Sequence, residues 1–118
     1  MMHPYHAKLG RVLARMGGLY TVQDILNLIA IGRMQSFMEG DSWAVTQISV
    51  TPRCEMLEII FCLGSLSECR ILHDRILDYA REHDIGLVQS YGRRGWNGEA
   101  RSHGWKVRTT SYLYQREL

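Results

Sequence analysis

A chain of 118 residues has room for one domain and not for two. Hydrophobic residues at 46% can fill an ordinary core, charged residues at 22% are typical of a soluble protein, and a formal net charge of +2 is too small to argue for general nucleic-acid binding. The charge is uneven, however: Arg93, Arg94, Arg101, Lys106, Arg108 and Arg116 stand against only Glu99 and Glu117 in the last stretch, which suits either an anionic ligand or a solvated basic face.

Three cysteines, Cys54, Cys62 and Cys69, lie in or beside apolar stretches, and none has Cys-x-x-Cys spacing. That argues against a disulfide scaffold or a zinc site, and for small apolar thiols in a reducing compartment. No apolar run approaches the ~20 residues needed to span a membrane. The start, MMHPYHAKLGRV, has no apolar signal-peptide core, so a cytoplasmic protein without a membrane partner is expected.

In residues 1–16, Leu9, Val12, Leu13 and Met16 recur at helical spacing until Gly17 and Gly18. The stretch 1–17 is expected as a loosely attached N-terminal helix. Thr21 is a good N-cap with Asp24 three residues on, and Val22, Ile25, Leu26, Leu28 and Ile29 predict a second helix ending near Gly32. The period then changes. Residues 34–39 and 42–50 read as two strands joined at Gly40-Asp41. In the second, Trp43, Val45, Gln47 and Ser49 alternate with Ala44, Thr46, Ile48 and Val50 until Pro52 breaks it. Residues 54–63, the most apolar stretch, predict the central strand.

The turn Gly64-Ser65-Leu66-Ser67 leads into the longest helix, residues 67–83, with either serine as cap and Glu68 in its first turn. Cys69, Leu72, Ile76, Tyr79 and Ala80 form its buried stripe. A short strand at 86–91, a turn at 92–96, a short helix at 97–103 and a final strand at 105–114 complete the chain. Trp96 and Trp105 each follow a glycine, and are expected to pack near each other where the last two strands end. The order predicts one α+β domain over residues 1–118, built on a mixed, mainly antiparallel sheet flanked by helices.

This order is similar to that of the acyl-CoA N-acyltransferase (GNAT) fold, with one N-terminal strand missing or unseen. The sequence resembles small phage-encoded GNAT-like proteins in Gly18-Leu19-Tyr20-Thr21-Val22-Gln23-Asp24, in Gly92-Arg93-Arg94-Gly95-Trp96, in Gly104-Trp105 and in the closing Gln115-Arg116-Glu117-Leu118. The likeness covers residues 18–118. It implies that acetyl-CoA or another acyl-CoA enters where the central strand splays from its neighbour. On that likeness Cys62, Leu63, Gly64, Ser65, Leu66 and Ser67 form the turn that offers backbone N–H groups to the pyrophosphate. Arg70 adds charge there, and Arg93 and Arg94 flank the same mouth.

The sequence departs from the family pattern in two places. The phosphate loop is short and keeps only Gly64, which also reads as a plain strand-to-helix connection. Ala100 stands where many members carry a proton-donating tyrosine. Tyr91 and His103 are the available substitutes, readable also as a strand-end aromatic and a surface histidine. Glu55 and Glu58 point to opposite faces of the central strand. Glu58, deeper in the apolar run, is either the general base or a carboxylate paired with an arginine.

Three functions therefore stand. The first is transfer of an acyl group from acyl-CoA to an unknown amine. The second is a non-catalytic GNAT-fold phage protein, acting as a virion component or a host-protein-binding module. The third, a single-strand nucleic-acid binder using the basic end with Trp96 and Trp105, is disfavoured by the low net charge. No metal is expected, because His3 and His6, three apart, stand at a terminus that is expected to be mobile, and His73 and His83 have no nearby carboxylate or cysteine pattern for a site.

Overall fold

The structure, a computed structural model, describes residues 6–15, 18–91, 96–108 and 115–116. Eight elements follow one another: α1 (His6–Arg15), α2 (Val22–Ala30), β1 (Gln35–Glu39), β2 (Ser42–Val50), β3 (Glu55–Leu63), α3 (Leu66–Glu82), β4 (Val88–Ser90) and α4 (Asn97–Ser102). The order is the expected one through α4. The last expected strand is not borne out at residues 105–108, which are irregular, and its remainder lies outside the described residues.

Local chemistry sets the helix ends. Thr21 Oγ1 accepts the Asp24 N–H at 3.1 Å while Asp24 Oδ2 accepts the Thr21 N–H at 2.8 Å, a reciprocal box that starts α2. Ser65 caps α3 by accepting the Glu68 N–H at 3.3 Å. At the far end, the turn after α4 brings Trp105 N–H back to Ala100 O at 3.0 Å, through Gly104 at φ +86.

The sheet runs β1-β2-β3-β4, with the first three strands antiparallel and β4 parallel to β3. α3 is the crossover that a parallel neighbour requires, and it packs across β1, β2 and β3. β3 is thus an inner strand, as its apolar run predicts.

A bulge divides β3 into two halves. Val45 pairs with Phe61 but Thr46 pairs with Ile59, so Ile60 is an extra residue in the ladder. One added residue reverses the alternation. Before it, Leu57 and Ile59 face α3 and join Phe37, Leu72, Ile76 and Ala80. Beyond it, Phe61 and Leu63 turn to the opposite layer, where Leu9, Leu13, Ile25, Trp43 and Val45 are buried. Trp43 and Phe61 meet edge to face at 5.0 Å. The bulge lets one strand fill two cores on opposite sides of the sheet.

The two C-terminal tryptophans do not pair as expected. Trp105 is half-buried against the α3 core, its ring 5.9 Å from that of His73, whereas Trp96 is 45% exposed. The Gly104 turn folds Trp105 onto α3, while Trp96 stands at the start of α4.

Candidate functional site

β3 and β4 pair only at Leu57↔Val88, Glu58↔Gln89 and Ile59↔Ser90. Past Ile59, β3 runs on through residues 60–63 with no β4 partner among the described residues. Their pairing therefore ends at the bulge, which leaves, among the described residues, a gap in the β3–β4 ladder from Ile60 to the first turn of α3. Backbone groups freed at such a gap can meet a ligand without breaking the ladder.

The turn at the top of the gap is fixed from the side of β2. Ser42, fully buried, accepts the Ser65 N–H on its Oγ at 3.2 Å and donates to Glu68 Oε1 at 2.7 Å. Ser65 Oγ donates to the same Glu68 oxygen at 3.1 Å. Gly64 has φ +141, and a Cβ built there would lie 1.8 Å from Ser42 Oγ and 2.8 Å from Ser42 Cα. The glycine is required by this close packing as well as by its backbone angle. Leu63 is buried, while Ser65, Leu66 and Ser67 are exposed, so Leu66 and Ser67 begin the helix at the surface. As the first residues of α3 they have no intrahelical partner for their N–H groups.

Cys62 points to the α3 side, beside Cys69. Burial, with the hydrogen bond and charge of Cys69 adding to it, pushes the Cys62 thiol far up, so it stays protonated and is a poor nucleophile. Arg70 holds Glu99 through two bonds, Nε to Oε1 at 2.6 Å and Nη2 to Oε2 at 3.0 Å. The fork raises the Arg70 guanidinium above its ordinary pKa and holds the Glu99 carboxyl below its own. His103 Nδ1 lies 3.5 Å from Glu99 Oε1. His73 stands half-buried beside this group. Burial lowers its pKa most; Asp74 raises it, His103 lowers it and Glu99 raises it.

Glu58 lies below the gap, between Gln47 of β2 and Gln89 of β4 in the register. Strand alternation turns it away from Leu57, Ile59 and α3. It is half-buried, accepts the Ser49 hydroxyl at 3.5 Å, and forms no ion pair among the described residues. An arginine partner for Glu58 is therefore absent among the described residues, and Arg93 and Arg94 lie outside them. Tyr91 follows β4 directly and is 70% exposed. The fold brings together Cys62, the turn at 63–67 and Arg70 at one end of the gap, with Glu58 near the other.

Sequence reasoning missed Glu99 and Ser42 as parts of this region. Glu99 is 29 residues from Arg70, and Ser42 is 23 from Ser65, so no local spacing joins either pair. Among the described residues no group of three or more His, Cys, Asp or Glu side chains could hold a metal ion. Among them, too, no helix is long and apolar enough to cross a membrane.

No family model and no curated protein matches the sequence. Solved structures do match the fold. A mutant of the TTHA1254 protein of Thermus thermophilus is similar at TM-score 0.65 and 18% identity, over 100% of this chain and 94% of that one. A predicted acetyltransferase of Clostridium acetobutylicum, solved with acetyl-CoA, is similar at TM-score 0.61 and 13% identity, over 98% of this chain and 92% of that one. The aminoglycoside antibiotic 6'-N-acetyltransferase of Acinetobacter haemolyticus is similar at TM-score 0.61 and 12% identity, over 95% of this chain and 94% of that one. At such identities the likeness establishes the fold alone: a single α+β domain of the GNAT type.

Proposed function

We propose that this chain is an acyl-CoA-dependent N-acyltransferase acting on an amine, with the acyl donor seated between β3 and β4. The observation that carries this reading is the end of the β3–β4 pairing at the Ile60 bulge, with a half-buried carboxylate just below it that has no cationic partner among the described residues. Bound acyl-CoA would supply the activated thioester. The first turn of α3, residues 63–67, would receive its diphosphate, with Arg70 and Arg93 adding positive charge.

The protein then has two proton tasks. Glu58 stands two residues before Ile60, about 7 Å along the backbone by strand rise, and acts on a substrate at the bulge through water. It takes one proton from the ammonium, so that the neutral amine attacks the thioester carbonyl. Tyr91, at the open end of β4, gives its proton to the thiolate that leaves when the C–S bond breaks and regains one from the nitrogen of the new amide. No enzyme nucleophile is needed, and the protonated Cys62 thiol agrees with that.

The test is thiol release from acetyl-CoA with a panel of small amines. Glu58→Gln should lower kcat by about 100-fold or more while leaving the affinity for CoA unchanged. Unchanged turnover in that variant would remove Glu58 from the reaction. A second reading, a GNAT-fold binding module without catalysis, draws on Ala100, which offers no proton at the position of the family tyrosine. Acetyl-CoA binding with no amine-dependent thiol release across the panel would favour it.

A further inference from the structure

An ion pair joins α3 to α4. α3 lies on the sheet with one flank towards the β1–β2 hairpin and the other towards α4. On the first flank, Arg75 donates to Met38 O and stands 3.5 Å from Glu39, and Glu68 accepts from Ser42. On the second, Arg70 grips Glu99 and His73 lies against Trp105. The strand order places β4 on this second side. Arg70 is therefore on the flank of α3 towards β4, where the β3–β4 ladder ends among the described residues. α4 is the helix that follows β4 in the chain, so the Arg70–Glu99 pair ties the helix after β3 to the helix after β4.

The pair is a bidentate fork, the geometry an arginine offers to a phosphate as readily as to a carboxylate. Arg70 is half-exposed and its partner a quarter exposed, so another anion can reach the guanidinium. We propose that Glu99 is an internal stand-in for the donor's diphosphate, holding Arg70 and latching α4 to α3 until a diphosphate ligand takes Arg70 over and frees α4. This rests on the acyl-CoA reading of the gap. Binding must then break one ion pair to make another. Removing the internal carboxylate removes that competition and raises the affinity for the ligand. A ligand without phosphate does not compete for Arg70 and gains nothing.

The experiment titrates CoA and pantetheine, which lacks the phosphates, into the wild type, Glu99→Gln and Arg70→Gln by calorimetry at one fixed ionic strength. Glu99→Gln should bind CoA about two- to fivefold tighter, as expected for losing one exposed ion pair. Arg70→Gln should bind it more weakly than the wild type, and neither substitution should change pantetheine binding. In the wild type, CoA should speed amide hydrogen exchange in α4 at residues 98–102. This last readout stands even if a variant fails to fold. Equal CoA affinity in wild type and Glu99→Gln overturns the latch and leaves the acyl-CoA reading standing. So does equal tightening of pantetheine, which would mark general loosening, or α4 exchange that CoA leaves unchanged or slows. If CoA at millimolar concentration binds none of the three proteins, the acyl-CoA reading fails and the latch fails with it.

Discussion

Gly64 meets two demands at once. Its backbone sits at φ +141, which side chains of L-residues rarely allow, and the space where a Cβ would stand is filled by Ser42. A single glycine before a helix reads in the sequence as a remnant of a phosphate loop. In the structure a nearer cause is present, because the turn lies against a buried serine whose own bonds leave it nowhere to move. Gly64→Ala should therefore destabilise the fold by at least about 2 kcal/mol, combining backbone strain with the forced shift of Ser42. Urea unfolding measures this, and a loss below about 0.5 kcal/mol would show that the turn can relax. Loss of CoA binding on changing Gly64 consequently says nothing of phosphate unless the variant is shown to be folded. Glu58 illustrates the opposite case. Its position on the strand was legible from alternation, but its hydrogen bond from Ser49 was not, since partners come from other strands and helices.

At the scale of elements, the capping signals were legible because they are local. Thr21 and Asp24 act within one helical turn as a reciprocal box, and Ser65, one of the two serines the sequence offered, caps α3 by accepting the Glu68 N–H. The β-bulge was not legible. A run as apolar as residues 54–63 shows no alternation for an extra residue to interrupt, and only the register with β2 reveals it. The packing of residues 96–105 was also misread, because two Gly-Trp words suggest symmetry where the Gly104 turn sends only Trp105 back to α3. That packing has a pH consequence through His73. Burial holds its imidazole below the ordinary value of 6.5, so the unfolded chain takes up this proton before the folded one does. The contribution is intact above pH 6.5 and is lost as the pH falls from there through the lower folded value. The thermal midpoint should drop more between pH 7.5 and 5.5 in the wild type than in His73→Phe, which keeps an aromatic ring against Trp105. Equal drops would mean that His73 is free to protonate in place.

For the whole molecule, the sequence order of helices and strands was enough to indicate one sheet flanked by helices, because each change of period marks a change of element. It could not show that β4 joins β3 in parallel for three pairs and, among the described residues, no further. That depends on the crossover through α3 and on where the bulge falls, neither of which has a local signature. The end of the β3–β4 pairing is the feature on which the functional account stands, so it is the place to look for a ligand. The most direct measurement is a titration of backbone amide resonances with CoA. The account predicts the largest shifts at residues 59–67, where the β3–β4 pairing ends and β3 turns into α3, and at residues 97–102 of α4. No shifts at millimolar CoA, or shifts centred on α2 and the exposed edge strand β1, would contradict it.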